Sequence, residues 1–98
     1  MVFDLVFSKK ASDDLHSILI YLEREWSLKV SKNFTKVLDR KLLQVASNPI
    51  TYPAFKNKKQ IRKCVVNKNI SMFYRIRNRE IQIITLFDNR KNPKTLVI

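Results

Sequence analysis

The hydrophobic repeat of this chain changes its period near the middle, and that change limits the folds that the chain can adopt. Before Asn48-Pro49, apolar residues recur every three or four positions, in two stretches separated at Ser27-Leu28. This is the spacing of one face of an α-helix. After about residue 60, apolar and polar residues alternate, as they do in half-buried strands. The chain therefore predicts two helices followed by strands, packed as an α+β domain.

The two helical stretches predict an antiparallel hairpin. Ser8 is a suitable N-cap for the first helix, which ends near Trp26, and Asn48-Pro49 ends the second. The apolar stripes are Ala11, Leu15, Ile18, Leu22 and Trp26 in the first helix, and Val30, Phe34, Val37, Leu38, Leu42 and Val45 in the second. Because each helix is apolar on one face only, both helices must pack against another layer.

One strand is predicted before the helices, at residues 2–7, and three after them, at 61–66, 70–77 and 80–88. The chain has no glycine, so asparagine must take the positive-φ turn positions between the last strands. The predicted order is β-α-α-β-β-β. We expect one domain, residues 1–98, with the helical hairpin packed on one face of a small antiparallel sheet.

A two-residue turn at Asn78-Arg79 would assign the side chains of the last two strands to two faces. The face expected against the helices carries Ile70, Met72, Tyr74, Ile76, Ile81, Ile83, Thr85 and Phe87. The opposite face carries Ser71, Phe73, Arg75, Arg77, Glu80, Gln82, Ile84 and Leu86. That mixture of apolar and cationic groups is a candidate binding surface, although an ordinary solvated face with scattered apolar residues is the alternative. The expected common core is Leu15, Ile18, Leu22, Phe34, Val37, Tyr74, Ile76, Ile81 and Ile83.

The charge of the chain favours an anionic partner. Twenty Lys and Arg residues against eight Asp and Glu give a net charge of +12. Residues 1–50 hold 8 basic and 6 acidic side chains, whereas residues 51–98 hold 12 basic and 2 acidic ones. Nearly all of the excess therefore lies in the second half, although a merely soluble basic surface is the simpler alternative.

The residues that are rare in this chain exclude several kinds of site. A single cysteine, Cys64, and a single histidine, His16, leave neither an internal disulfide nor a zinc site made of Cys and His. A phosphate-binding loop of the P-loop type needs glycine. We expect no cofactor and no metal. The chain shows no targeting signal and no apolar run long enough for a membrane helix, so we expect a cytoplasmic protein without membrane contact.

Arginines are the strongest candidates for chemistry. Arg62, Arg75, Arg77 and Arg90 lie in the basic half, with Lys63 and Lys91 beside two of them. Arginine binds phosphates through two parallel hydrogen bonds and stabilises charge on phosphorus. An RNA-cleaving site also needs a general acid and base, for which the strands offer only Tyr74 and Glu80. Phosphate contact is therefore better supported than catalysis.

The order of these elements resembles the RelE/ParE superfamily of bacterial toxins. The resemblance covers nearly the whole chain and is carried by motifs that are loose individually but specific in order and spacing. They are Asp14-Leu15-x-x-Ile18-x-x-Tyr21, Glu25-Trp26-Ser27, Phe34, Asn48-Pro49, Ile61-Arg62, Phe73-Tyr74-Arg75-Ile76, Ile81-x-Ile83 and Asp88-Asn89-Arg90-x-Asn92-Pro93. The long helical hairpin is similar to that of the ParE branch.

This resemblance implies a toxin that a cognate antitoxin wraps and neutralises. RelE-like members cut mRNA in the ribosomal A site, whereas ParE-like members poison DNA gyrase. The ribonucleases of the family tend to need an arginine on the middle strand of the meander and a His or Tyr near the C-terminus. Here Ser71 stands at the comparable strand position, and Asp88 and Asn89 stand near the C-terminus. These departures weigh against RNA cleavage, although Arg75 offers a partial substitute.

The leading hypothesis is therefore a gyrase poison that acts by binding, in a hetero-oligomer with an acidic antitoxin. The alternatives are a ribosome-dependent mRNA endonuclease, with Arg62, Arg75 and Arg90 as its candidate catalytic residues, and a nontoxic basic binding module. The residues expected to contact a protein partner or nucleic acid are Arg62, Lys63, Phe73, Arg75, Arg77, Ile84, Leu86, Arg90 and Lys91. The apolar members of this set are expected to bind the antitoxin, and the arginines its carboxylates.

Overall fold

The computed structural model describes residues 2–55 and 58–98, so residues 56 and 57, between the predicted second helix and the predicted strand at 61–66, lie outside it. The elements are β1 (Asp4–Phe7), α1 (Lys9–Glu25), α2 (Leu28–Ser47), β2 (Ala54–Phe55), β3 (Lys58–Val65), β4 (Ile70–Arg77), β5 (Glu80–Asp88) and a 3-10 turn at Pro93–Thr95. No helix in the described ranges is both long enough and apolar enough to cross a membrane.

The predicted α+β fold is confirmed, with two differences in the sheet. Its strand order is β1-β5-β4-β3-β2. The prediction of an antiparallel sheet is wrong at one edge, because β1 runs parallel to β5, with Leu5 opposite Ile81. At the other edge, β2 is a two-residue strand between α2 and β3, where the sequence analysis predicts no strand. Over the described residues, the sheet is therefore mixed and has five strands.

Serine residues begin both helices. The Ser8 hydroxyl accepts a hydrogen bond from the backbone N–H of Ala11 at 3.0 Å, which confirms the predicted N-cap. The Ser27 hydroxyl accepts from the N–H of Val30 at 3.1 Å, so the interruption between the two stripes is itself a cap. Each cap satisfies an N–H group that a helix start leaves without a partner. The Ser8 hydroxyl also donates to the carbonyl oxygen of Ile84 at 2.8 Å, which ties the start of the first helix to β5.

The core lies between the hairpin and one face of the sheet. Phe34 and Leu38 of α2 are buried there with Tyr74 of β4 and with Ile81 and Ile83 of β5. The other predicted core residues pack against this cluster as half-buried side chains, namely Leu15, Ile18, Leu22, Val37 and Ile76. The predicted core is therefore confirmed.

The β4–β5 hairpin follows the predicted register only as far as a β-bulge. Arg77 lies opposite Glu80, and Asn78 takes the positive φ of 58° expected of a turn asparagine. Tyr74 pairs with Ile83, but Phe73 pairs with Thr85, so β5 has one extra residue, Ile84. Such an extra residue reverses the alternation of the strand beyond it.

The predicted face assignment is consequently wrong after Ile84. Leu86 pairs with Met72 and is buried in the core on the helix side, rather than standing on the opposite face. Phe73 does lie on the opposite face, but it is only 1% exposed. Its ring packs edge-on against Phe55, with 4.9 Å between the ring centroids. The open apolar face predicted from Phe73, Ile84 and Leu86 therefore does not exist as one surface.

Candidate functional site: a groove beside the first helix

A groove of about 460 Å³ runs between α1 and the end of the sheet, and we call it the α1 groove. Residues from α1, α2, the β3–β4 turn and the segment after β5 line it. They are Asp14, Ser17, Ile18, Tyr21, Leu22, Phe34, Asn67, Asn69, Ile70, Leu86, Asp88, Arg90 and Lys91. An apolar concavity with a few convergent polar groups is the usual form of a binding site.

The apolar lining of the α1 groove comes from the same stripes that build the core. Phe34, Ile70 and Leu86 are each at most 5% exposed, and they are continuous with the main core cluster. At the edge of the groove, the Tyr21 side chain is 45% exposed. An aromatic residue beside a buried apolar surface is typical of a contact that another molecule completes.

Asp14 joins α1 to the bulged strand at one end of the groove. Its carboxylate accepts hydrogen bonds from the Thr85 hydroxyl and from the backbone N–H of Leu86, the latter at 3.2 Å. The Lys10 ammonium lies 3.1 Å from the other carboxylate oxygen. The sequence placed Asp14 with the chemistry of the helix start, and this contact with the sheet was not predicted. The carboxylate is thus satisfied within the chain.

On the cationic side of the groove, Arg90 and Asp88 form a bidentate ion pair. The Arg90 guanidinium donates from Nε at 3.0 Å and from Nη2 at 2.7 Å to the two oxygens of Asp88. These hydrogen bonds lower the pKa of the Asp88 carboxyl and raise the pKa of Arg90, to which Tyr21 contributes as well. In the described part of the chain, Lys91 beside them has no ion pair. The cation offered to a partner is therefore Lys91 more than Arg90.

A second polar cluster lies on the opposite face of the sheet. Arg75 donates from Nε to the Gln82 side-chain oxygen at 2.6 Å, and the Gln82 amide donates to Glu80 at 3.0 Å. Arg77 is exposed at the end of the same hairpin. Further along, the Lys63 ammonium stands 6.0 Å from the centre of the Phe73 ring. This face is polar and partly self-satisfied.

Arg62 has a structural role on the helix side of the sheet. Its Nη1 donates to the carbonyl oxygen of Tyr52 at 2.6 Å and, more weakly, to that of Ile50 at 3.4 Å. It therefore holds the connection that follows α2. The three arginines predicted for a nuclease thus lie apart, with Arg62 at this connection, Arg75 on the opposite face and Arg90 in the groove.

Apart from Glu80, whose carboxylate accepts a hydrogen bond from Gln82 on the opposite face, the nucleophilic and acid–base candidates are buried or isolated. Tyr74 is fully buried and donates its hydroxyl proton to the carbonyl oxygen of Pro49 at 2.6 Å, and burial raises its pKa to about 12. Cys64 is fully buried, which raises the pKa of its thiol. His16 is exposed on α1. Among the described residues, no group of three or more His, Cys, Asp or Glu side chains is placed to hold a metal ion.

Of the nine predicted contact residues, the structure brings Leu86, Arg90 and Lys91 together in the α1 groove. Lys63, Phe73, Arg75 and Arg77 lie on the opposite face, Arg62 holds the α2 connection, and Ile84 is the half-buried bulge residue. The prediction missed the α1 side of the groove. The one sequence feature that could have indicated this side of the groove is Tyr21, a large side chain next to the apolar stripe of the first helix.

Solved structures of bacterial toxins share this fold. The chromosomal ParDE toxin–antitoxin system of P. aeruginosa matches with a TM-score of 0.75 and 15% identity, over 89% of this chain and 96% of that one. The YoeB dimer of Staphylococcus aureus matches with a TM-score of 0.64 and 16% identity, over 89% and 97%. The RelBE2 toxin–antitoxin complex of Mycobacterium tuberculosis matches with a TM-score of 0.62 and 13% identity, over 91% and 100%.

The sequence itself identifies the family. No curated protein matches it significantly. The family model of the ParE toxin of the type II toxin-antitoxin system parDE matches residues 5–93, which is nearly the whole chain and includes both helices, the described strands except the first residue of β1, and the lining of the α1 groove. This protein therefore belongs to the ParE toxin family, within the RelE/ParE superfamily of type II toxin-antitoxin toxins.

Proposed function

We propose that this toxin acts in the cytoplasm as a poison of DNA gyrase, by binding and not by cutting RNA. Its family describes a ParE toxin, and its fold is similar to that of a ParDE system. The same fold also occurs in the RelBE2 complex and in YoeB, so the fold alone does not select the target. The choice between gyrase and the ribosome therefore rests on the arrangement of the side chains.

The observation that carries this proposal is the dispersal of the arginines. A ribonuclease needs cationic and acid–base groups around one phosphate. Here each arginine donates hydrogen bonds to a different acceptor within the chain. Arg62 donates to the Tyr52 carbonyl, Arg75 to the Gln82 side chain and Arg90 to the Asp88 carboxylate. Of the two acid–base candidates in these strands, Tyr74 is buried and donates to the Pro49 carbonyl, and Glu80 accepts a hydrogen bond from Gln82. A protein built to bind needs no such convergence.

The antitoxin is proposed to occupy the α1 groove. This corrects the predicted location on the opposite face, because Phe73 and Leu86 are buried and offer no apolar anchor there. The groove offers Tyr21 at its edge and an apolar wall behind it. An amphipathic helix could place its apolar side chains in such a groove and a carboxylate against Lys91.

The target is tested with purified gyrase, relaxed plasmid, ATP and the full chain. A poison is expected to inhibit supercoiling and to leave linear plasmid after the reaction is denatured and digested with protease. The product of the neighbouring reading frame, added first, should restore supercoiling and serves as the control. Unchanged supercoiling, together with transcripts cut at the A site when the chain is added to translating ribosomes, would instead identify the RelE-like mRNA endonuclease.

A further inference from the structure

The exposed face of α2 carries a line of cations that neither the fold nor the α1 groove uses. Lys29, Lys32, Lys36 and Arg40 are spaced by three, four and four residues, and all four are exposed. At 100° per residue they fall within an arc of about 80°, over a length of about 16 Å. We call them the α2 basic stripe. The helix has one carboxylate, Asp39, which falls at the margin of this arc.

The two helices of the hairpin differ in whether their lysines form ion pairs. On α1, Lys9 and Lys10 pair with Asp13 and Asp14 one turn further on. Within the described ranges, no cation of the α2 basic stripe forms an ion pair with a carboxylate. The stripe instead sets like charges three or four residues apart, a spacing that destabilises a helix. A row of like charges that opposes helix formation, and that has no ion pair in the described part of the chain, indicates a partner outside it.

The composition of the stripe indicates what that partner is. Three of its four cations are lysines, a residue that is depleted in protein–protein interfaces. No aromatic side chain stands between residues 29 and 40 on this face to stack on the bases of a single strand. A straight, evenly spaced row of cations fits the phosphates of a duplex, which carries about one charge per 1.7 Å of its axis.

We propose that the α2 basic stripe binds the phosphodiester backbone of duplex DNA. It positions the toxin on DNA without reading sequence, because phosphate contacts carry no base information. This deepens the proposed function, since a topoisomerase works on duplex DNA. The binding is nevertheless a property of the toxin alone, and it can be measured without gyrase.

The test measures the affinity of the purified full chain for a fluorescent duplex of about 20 base pairs, by anisotropy, between about 50 and 200 mM salt. The variant carries Lys32→Gln and Lys36→Gln, and the matched control carries Lys68→Gln and Lys94→Gln, two exposed lysines outside the stripe. Each lost phosphate contact should reduce the slope of log K against log salt by about 0.9. The stripe variant should therefore lose about 1.8 in slope and bind on the order of 60-fold more weakly at 0.1 M salt.

The control variant should keep most of the wild-type slope, and Lys36→Gln alone should lose about half of what the double variant loses. Circular dichroism checks that every variant is folded. Equal losses in the two double variants, or no loss in either, would overturn the proposal. Displacement of the duplex by a Glu-rich peptide at an equal concentration of charges would also overturn it, because the stripe would then be a surface for acidic protein. A gyrase assay that fails while DNA binding follows the stripe would count against the gyrase target alone.

Discussion

At the scale of single residues, Asp14 joins distant parts of the chain. It accepts hydrogen bonds from the side chain of Thr85 and the backbone N–H of Leu86, just beyond the point where β1 ends with Phe7 opposite Ile83. Replacement with alanine would leave a half-buried N–H group unsatisfied. Asp14→Ala should therefore cost about 1–3 kcal/mol of unfolding free energy, measured by urea denaturation.

Asp13 is the matched control for this substitution. It has the same charge and forms the same kind of pair with a lysine four residues earlier, but both members of that pair, Lys9 and Asp13, are exposed. Asp13→Ala should cost less than about 1 kcal/mol, as exposed ion pairs do. Equal losses at the two positions would show that the contact of Asp14 with β5 does not stabilise the fold.

Tyr74 should make the stability of the chain sensitive to alkaline pH. Burial raises the pKa of its hydroxyl from 10.0 to about 12. Between these values the unfolded chain has released a proton that the folded chain still holds. The free energy of unfolding should therefore fall as pH rises from about 10 to about 12, by up to about 3 kcal/mol from this group.

Tyr74→Phe isolates that contribution from the titration of the lysines. At neutral pH the variant loses the hydrogen bond to the Pro49 carbonyl, at a cost of about 1 kcal/mol. Its stability should then decline less steeply than that of the wild type above pH 10. Parallel curves of stability against pH for the two proteins would refute a buried, protonated hydroxyl at this position.

At the scale of elements, the features that depend on local periodicity, namely the helix faces and the position of the turn, could be predicted from the sequence. The helical stripes place Phe34 in the core, and the turn at Asn78 follows from the need for a positive φ in a chain without glycine. The bulge at Ile84 could not be predicted, because an isoleucine that continues an apolar run gives no sign that it is an extra residue. One inserted residue was enough to move Leu86 from the predicted surface into the core.

Contacts between residues far apart in the chain could not be predicted from the sequence either. The parallel pairing of β1 with β5 joins the two ends of the domain, and nothing in the alternation of either strand specifies its partner or direction. The two-residue β2 is too short to show a period. The α1 groove depends on both kinds of information, since it combines a predicted helix face with the strand end beyond the bulge.

The bulge makes a direct prediction about two neighbouring residues of β5. Ile83 is fully buried in the core, whereas Ile84 is the half-buried extra residue. Ile83→Ala should cost about 2–5 kcal/mol in denaturant melts, as buried large-to-small changes do. The same change at Ile84 should cost clearly less. If the order of the two losses were reversed, the bulge would have to lie elsewhere in the hairpin.

At the scale of the whole molecule, charge and apolar surface are kept apart. In the α1 groove, the two acids are already paired, Asp14 with Lys10 and Asp88 with Arg90. Apart from Lys91, the net charge of +12 therefore arises from cations outside the groove, including the α2 basic stripe and the exposed hairpin arginines. Such a field accelerates the approach of an anionic partner, but it does not by itself hold one. Lasting attachment has to come from the groove.

This division predicts how an antitoxin should bind. Tyr21→Ala removes the exposed aromatic at the edge of the groove and should accelerate dissociation by about tenfold or more, because a well-packed aromatic contact contributes more than about 1 kcal/mol. Lys91→Gln should mainly slow association and weaken its salt dependence. The association and dissociation rates of both variants are measured by surface plasmon resonance with the product of the neighbouring reading frame.

The comparison variant carries Arg75→Ala and Arg77→Ala on the opposite face of the sheet. It removes twice the charge of Lys91→Gln but leaves the groove intact, so its dissociation rate should equal that of the wild type. Its association rate should fall only to the extent that the long-range electrostatic field is reduced, and added salt should erase that difference. If this variant dissociates faster while Tyr21→Ala binds as the wild type does, the antitoxin lies across the sheet and the α1 groove is not its site.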